Sequence, residues 1–82
     1  MQEQIILKLS AYIAEFILKQ PGRSLNPDEA LISGGLVDSF HLVDLALFVE
    51  DTFGVHLDDT ELNAETFDSL TQLSDIIRQR IS

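Results

Sequence analysis

The apolar positions of the first twenty residues recur at helical spacing. Apolar side chains three or four residues apart form one stripe on a helix with 3.6 residues per turn. Pro21 and Gly22 follow as a stop signal, so a helix is predicted over residues 3–20. Its predicted buried stripe consists of Ile5, Leu9, Tyr12, Ile13, Phe16 and Ile17.

Residues 21–37 form a long connection in which Asn26 and Pro27 could start one helical turn, as N-cap and first helical residue. A loop this long in a small domain is usually functional or disordered. Its apolar residues argue against disorder, because they can anchor the loop on the core. These predicted anchors are Leu25, Leu31, Ile32 and Leu36.

Two further helices and one short helical turn are predicted from capping signals. The second helix should run from about Ser39 to Phe53, between Asp38 as N-cap and Gly54 as C-terminal stop. Asp58 followed three residues later by Glu61 resembles a capping box and predicts a short turn. A last helix is expected from about Ser69 to Arg80, with the buried stripe Leu70, Leu73, Ile77 and Ile81.

No run of alternating apolar and polar residues is long enough to compete as a strand. The pattern therefore predicts an all-α fold. The predicted architecture is a small four-helix bundle of three main helices and one short helix, in a single domain over residues 1–82.

The second helix carries more apolar residues than one buried face requires. Placed at 100° steps, its first stripe comprises Leu42, Leu45, Ala46, Val49 and Phe53. Phe40, Val43 and Leu47 form a second stripe that points away from the first, with Asp44, Glu50 and Asp51 beside it. An exposed apolar stripe with charged neighbours usually marks an interaction site. Alternatively, Phe40 and Val43 fold under the long loop or the short helix.

Charge narrows the classes of partner. The 82 residues include 14 acids and 5 bases, and the formal net charge is −9. No Lys or Arg occurs between Arg23 and Arg78, so this surface should repel nucleic acids and anionic membranes and attract basic partners. A solvated acidic face that only aids solubility is the plainer alternative. Self-repulsion favours a monomer.

The absence of cysteine excludes a disulfide scaffold, a thiolate metal site and a cysteine nucleophile. A secreted domain of this size usually carries disulfides, so a cytoplasmic location is expected. No apolar run approaches membrane-spanning length, and the N-terminus lacks the pattern of a signal peptide. Membrane insertion is therefore not expected.

Ser39 stands at the predicted start of the second helix. A phosphate attached there would lie beside free backbone N–H groups and the positive end of the helix dipole. On this fact alone, simple capping is the more economical interpretation of a serine at a helix start.

The run from Gly35 to Val43 resembles the phosphopantetheine-attachment motif of acyl carrier proteins and of peptidyl or aminoacyl carrier proteins. The family core is the pair Asp38 and Ser39 at a helix start, after Gly-Leu and before an apolar residue. Downstream features also agree, namely Glu50 and Phe53, Val55 and Leu57, and the run Phe67-Asp68-Ser69-Leu70. Phe40 after the serine is similar to stand-alone D-alanyl carriers and departs from fatty-acid carriers, in which Leu or Met is commoner.

The resemblance implies a non-catalytic carrier on which Ser39 bears 4'-phosphopantetheine taken from coenzyme A. Asp38 would cap the helix and present Ser39. The implied partners are a phosphopantetheinyl transferase, an acyl- or aminoacyl-activating ligase, and a downstream synthase or transferase. The expected partner contacts are Asp38, Phe40, Val43, Asp44, Leu47, Glu50 and Asp51.

Other chemistry is less well supported by the spacing. Ser39 and His41 lie two apart on a helix and do not face each other, which excludes a simple serine hydrolase arrangement. His41 and His56 have no metal-ligand spacing, and no metal site is expected. The alternative from another class is a small acidic helical interaction domain without a prosthetic group.

Overall fold

The computed structural model describes residues 2–81 and contains three α-helices in that range. The first, α1, spans Gln2–Tyr12 and continues as a π-helical turn over Ile13–Ile17. The second, α2, spans Ser39–Phe53. A 3₁₀ turn at Asp59–Glu61 precedes α3, which spans Leu70–Arg80. Since no strand occurs in the described residues, the all-α prediction is confirmed.

The end of α1 differs from the prediction. Phe16, predicted to be buried, is 54% exposed. The Leu18 N–H bonds to the Ile13 carbonyl oxygen at 2.8 Å, an i to i+5 pattern that widens the turn and changes which side chains face inward. The helix therefore ends at Ile17, before the predicted stop, and Lys19 has a left-handed φ of 58°.

The loop anchors are confirmed. Leu25 and Leu31 are buried, and Ile32 and Leu36 are partly buried against the core. At Asn26 the chain forms a single hydrogen-bonded turn, in which the Glu29 N–H donates to the Asn26 carbonyl at 3.0 Å, and this turn does not continue into a helix.

The Asn26 side chain caps this turn, as predicted. The Asn26 side-chain oxygen accepts the Asp28 N–H at 2.9 Å, so this side chain stabilises an Asx turn. Thr71 also donates its N–H to the Pro27 carbonyl at 3.0 Å, which fixes the loop to α3.

Local caps define both ends of α2, as predicted. Asp38 is extended, and its carboxylate accepts the His41 N–H. Gly54 has φ 71° and donates its N–H to Glu50 at 2.9 Å. The capping box is also present, because Glu61 accepts the Asp58 N–H at 3.0 Å.

The core lies between α1, α2 and α3 and extends under the loops. Leu42, Leu45 and Val49 bury one side of α2, while Ala46 and Phe53 are only partly buried. Ile81, predicted to close the last stripe, is exposed because α3 ends at Arg80. The fully buried larger side chains include Phe67, Leu9, Ile13, Leu31, Leu70, Leu73 and Ile77.

Within residues 2–81, no helix combines the length and the apolar character that crossing a bilayer requires.

Candidate functional site

Ser39 is exposed and is the first residue of α2. Asp38, directly before it, has φ −91° and ψ 176°, the extended conformation of an N-cap residue. One carboxylate oxygen of Asp38 accepts the His41 N–H at 2.9 Å and lies 2.9 Å from His41 Nδ1. These contacts fix the first turn, and Ser39 is on the protein surface.

The electrostatics at this end of α2 suit an anion. The N–H groups of a first helical turn have no partner within the helix, and the dipole places partial positive charge there. A phosphoryl group bonded to Ser39 would lie beside these groups. Sequence reasoning placed Ser39 at this position, and the structure agrees.

Backbone hydrogen bonds to the loop and to Asp68 hold the segment that precedes Ser39. Val37 is buried and donates its N–H to the Leu31 carbonyl at 2.9 Å. The Leu31 N–H in turn bonds to the Asp68 carbonyl at 2.7 Å. The position of Ser39 is therefore coupled to the residues just before α3.

Asp68 also holds this segment through its side chain. Its carboxylate accepts the N–H of Ile32 at 2.7 Å and the N–H of Ser33 at 2.9 Å. The Ser33 hydroxyl donates to the other carboxylate oxygen. The hydrogen bonds from Ser33, followed by the one from Ile32, lower the pKa of Asp68.

Sequence reasoning missed this role of Asp68. Ser69 occupies the N-cap of α3 and accepts the Gln72 N–H, which frees the preceding carboxylate for contacts with the loop. An acid directly before a capping serine was the available signal, but it does not reveal a partner more than thirty residues away.

The second apolar stripe of α2 is open to solvent. Phe40 is 83% exposed, Val43 50% and Leu47 61%. We call these three residues the α2 strip. Spacings of three and four residues place them in one row, and Val43 lies one turn from Ser39. The alternative, that Phe40 and Val43 fold under a loop, is wrong.

Exposed carboxylates accompany the α2 strip. Asp44, Glu50 and Asp51 are all exposed on α2. The Asp44 backbone carbonyl accepts a hydrogen bond from the Tyr12 hydroxyl at 3.3 Å, which ties α1 to this side of α2. Burial, reinforced by the Asp44 charge, raises the pKa of Tyr12 and keeps its hydroxyl protonated as a donor.

Glu50 differs from the other two acids because it has a histidine partner. Its carboxylate lies 3.3 Å from His56 Nδ1, in the segment after α2. The sequence analysis did not predict this contact between Glu50 and His56.

The surface around Ser39 thus offers an exposed serine hydroxyl, apolar side chains and carboxylates. In residues 2–81, no cluster of three or more histidine or carboxylate side chains has a geometry that could hold a metal ion. Comparisons of the chain with protein-family models, curated proteins and solved structures return no significant match.

Proposed function

We propose that the protein is an acyl or aminoacyl carrier that bears 4'-phosphopantetheine on Ser39. The observation that carries this proposal is the exposure of Ser39 on a capped first turn, next to the exposed α2 strip. The resemblance around Asp38 and Ser39 supplies the identity of the group.

The residues present fit this group. Ser39 is exposed, so its hydroxyl can enter the active site of another enzyme. The start of α2 favours a phosphodiester electrostatically. Asp38 keeps the first turn in place and presents Ser39. When bound, the group would supply the thiol that this chain lacks, and with it a thioester link to the cargo.

The α2 strip and its acids would serve recognition. Phe40, Val43 and Leu47 would enter apolar recesses of a partner, and Asp38, Asp44, Glu50 and Asp51 would meet basic side chains. Carboxylates at the rim of a contact raise the rate of association with a basic surface. Such complexes can dissociate quickly, as a carrier that serves several enzymes requires.

The chain would fold as a carrier-like four-helix bundle, in which the 3₁₀ turn Asp59–Glu61 is the short fourth helix. Phe40 favours an aminoacyl or specialised acyl cargo over an ordinary fatty acyl chain. The protein would act as a cytoplasmic, monomeric and non-catalytic subunit, loaded by an activating ligase and unloaded by a synthase or transferase.

A modification assay tests the proposal directly. A promiscuous phosphopantetheinyl transferase would transfer the group from coenzyme A, forming a phosphodiester at Ser39 and releasing adenosine 3',5'-bisphosphate. Intact mass should increase by one group in the wild type and not in Ser39→Ala. Ser24→Ala, which removes the hydroxyl of another exposed loop serine, should be modified like the wild type.

The outcomes separate the two classes of function. An unmodified wild type, under conditions that load a control carrier, would contradict the carrier proposal. The acidic interaction domain without a prosthetic group would then be the remaining interpretation of the α2 strip. Modification of Ser39→Ala would show that the attachment site is a residue other than Ser39.

A further inference from the structure

His56 lies between two carboxylates that belong to different parts of the fold. Its Nδ1 is 3.3 Å from a carboxylate oxygen of Glu50 in the last turns of α2. Its Nε2 is 3.0 Å from a carboxylate oxygen of Asp58, the N-cap of the 3₁₀ turn. The imidazole therefore bridges the end of α2 and the start of the next element.

This geometry specifies the protonation state that stabilises it. A neutral imidazole has one N–H donor and one lone pair, whereas the imidazolium ion donates from both nitrogens. With carboxylates at both nitrogens, the neutral ring would direct its lone pair at one anion. Only the protonated ring satisfies both contacts.

The backbone on either side holds His56 in place. Val55 and Leu57, its chain neighbours, are buried in the core. Arg80 of α3 donates to the His56 carbonyl at 3.1 Å. The segment thus contacts α2, the 3₁₀ turn and α3 at once, and the imidazole remains on the exposed side.

The charged groups around His56 come from each of these elements. Glu50 and Asp58 contact the ring, while Glu61 and Arg80 lie beside the segment and pair with each other. Hydrogen bonds to Glu50 first and then to Asp58 raise the pKa of His56 above 6.5.

We propose that His56 is a proton-dependent clasp: the protonated ring contacts both Glu50 at the C-terminal end of α2 and Asp58 at the next turn, and the neutral ring keeps only one of these two contacts. The proposal goes beyond the carrier function and does not depend on any group at Ser39. Because its folded-state pKa is raised, the clasp stabilises the fold fully below about pH 6.5, the pKa of an unperturbed histidine. This contribution is lost as the pH rises through the folded-state pKa.

NMR titration of the imidazole signals of the intact chain at low salt tests the clasp. The chain has two histidines, so His41→Gln assigns the remaining signal to His56. Glu50→Gln and Asp58→Asn should each shift the pKa of His56 downward, and the double variant should shift it furthest. Asp51→Asn, which removes an exposed α2 carboxylate outside these contacts, is the matched control and should have a smaller effect.

Thermal unfolding supplies a second measurement. The loss of melting temperature in His56→Gln should be greater at about pH 5.5 than at about pH 8. Equal shifts of the His56 pKa in Glu50→Gln and Asp51→Asn would show that only the overall negative charge acts on His56, and would overturn the proposal. A His56→Gln deficit that does not depend on pH would also overturn it.

Discussion

Asp68 accepts the backbone N–H of Ile32 at 2.7 Å across 36 positions of the chain. This bond joins the residue before the α3 cap to the loop that leads into α2. Val37 in the same loop donates its N–H to Leu31, so the Asp68 contact helps to position Ser39, two residues after Val37.

Asp68→Ala should lower the melting temperature and increase hydrogen exchange at Ile32 and Ser33. Both amides lose their acceptor in this variant, and the loss is more unfavourable at partly buried Ile32 than at exposed Ser33, where water can replace the carboxylate. Asp68→Asn keeps one acceptor oxygen and should lie between the wild type and Asp68→Ala. Unchanged exchange at Ile32 in Asp68→Ala would contradict the role given to this carboxylate.

Asp38→Ala should lower the free energy of unfolding by about 1 kcal/mol, the usual effect of losing an N-cap. The bond lost is the one from the His41 N–H. Asp38→Asn can still accept this bond and should retain most of the stability, while removing the charge. Urea denaturation of the three proteins measures the difference, and equal losses in both variants would assign the effect to charge instead of capping.

Lys19→Gly should stabilise the protein. Lys19 has φ 58°, a left-handed conformation that costs a residue with a Cβ roughly 1–2 kcal/mol. Glycine removes this strain but adds about 0.5–1 kcal/mol of unfolded-state entropy, so the net gain should be up to about 1.5 kcal/mol. Lys19→Ala keeps the Cβ and should show no such gain in urea denaturation. A gain in both variants would point to the lysine charge.

Glu61→Gln should lower the melting temperature at neutral pH, and the difference should disappear in acid. Hydrogen bonds from the Arg80 side chain and then from the Asp58 N–H lower the pKa of Glu61 from 4.5 to about 2. A carboxylate with a lowered folded-state pKa stabilises the fold above its unfolded-state pKa, and this contribution is lost as the pH falls toward the folded-state pKa. Thermal unfolding from neutral pH to about pH 2 measures it.

The matched control for this ion pair is Glu65→Gln. It removes the same charge from an exposed residue of the same segment. An equal loss of melting temperature in Glu61→Gln and Glu65→Gln would show that Arg80 adds no specific stabilisation at Glu61.

Leu45→Ala and Leu47→Ala make the same change on opposite sides of α2. Leu45 is 1% exposed, so its truncation should cost about 2–5 kcal/mol in the free energy of unfolding. Leu47 is 61% exposed, and its truncation should change stability by no more than about 0.5 kcal/mol. Under the proposed function, Leu47→Ala should nevertheless slow the modification of Ser39 at limiting carrier concentration.

Local sequence signals were sufficient for much of the fold. Asp38, Gly54 and the Asp58–Glu61 box define ends of elements through contacts within a few residues, so the chain order reveals them. The two sides of α2 were also predictable, since helical periodicity separates Leu45 from Leu47.

The features that the sequence did not reveal depend on distant partners or backbone detail. The π-helical turn exposes Phe16 although its spacing matches a buried stripe. Asp68 and Arg80 form hydrogen bonds with residues that are distant in the sequence, and no local sequence pattern predicts such long-range contacts. The same holds for the candidate site. The position of Ser39 was predictable from its neighbours in the sequence, whereas the contacts that hold the preceding loop were not.

Caps at both ends of α2 make its register a fixed property of the chain. Asp38 sets the first turn and Gly54 the last, so the fifteen residues between them have little freedom to slide. One residue inserted in the middle would turn the downstream half by about 100° relative to the upstream half. Leu47 would then no longer lie in line with Phe40, and Val49 would leave the interior. Variation in the length of this helix should therefore be far less tolerated than variation in its side chains.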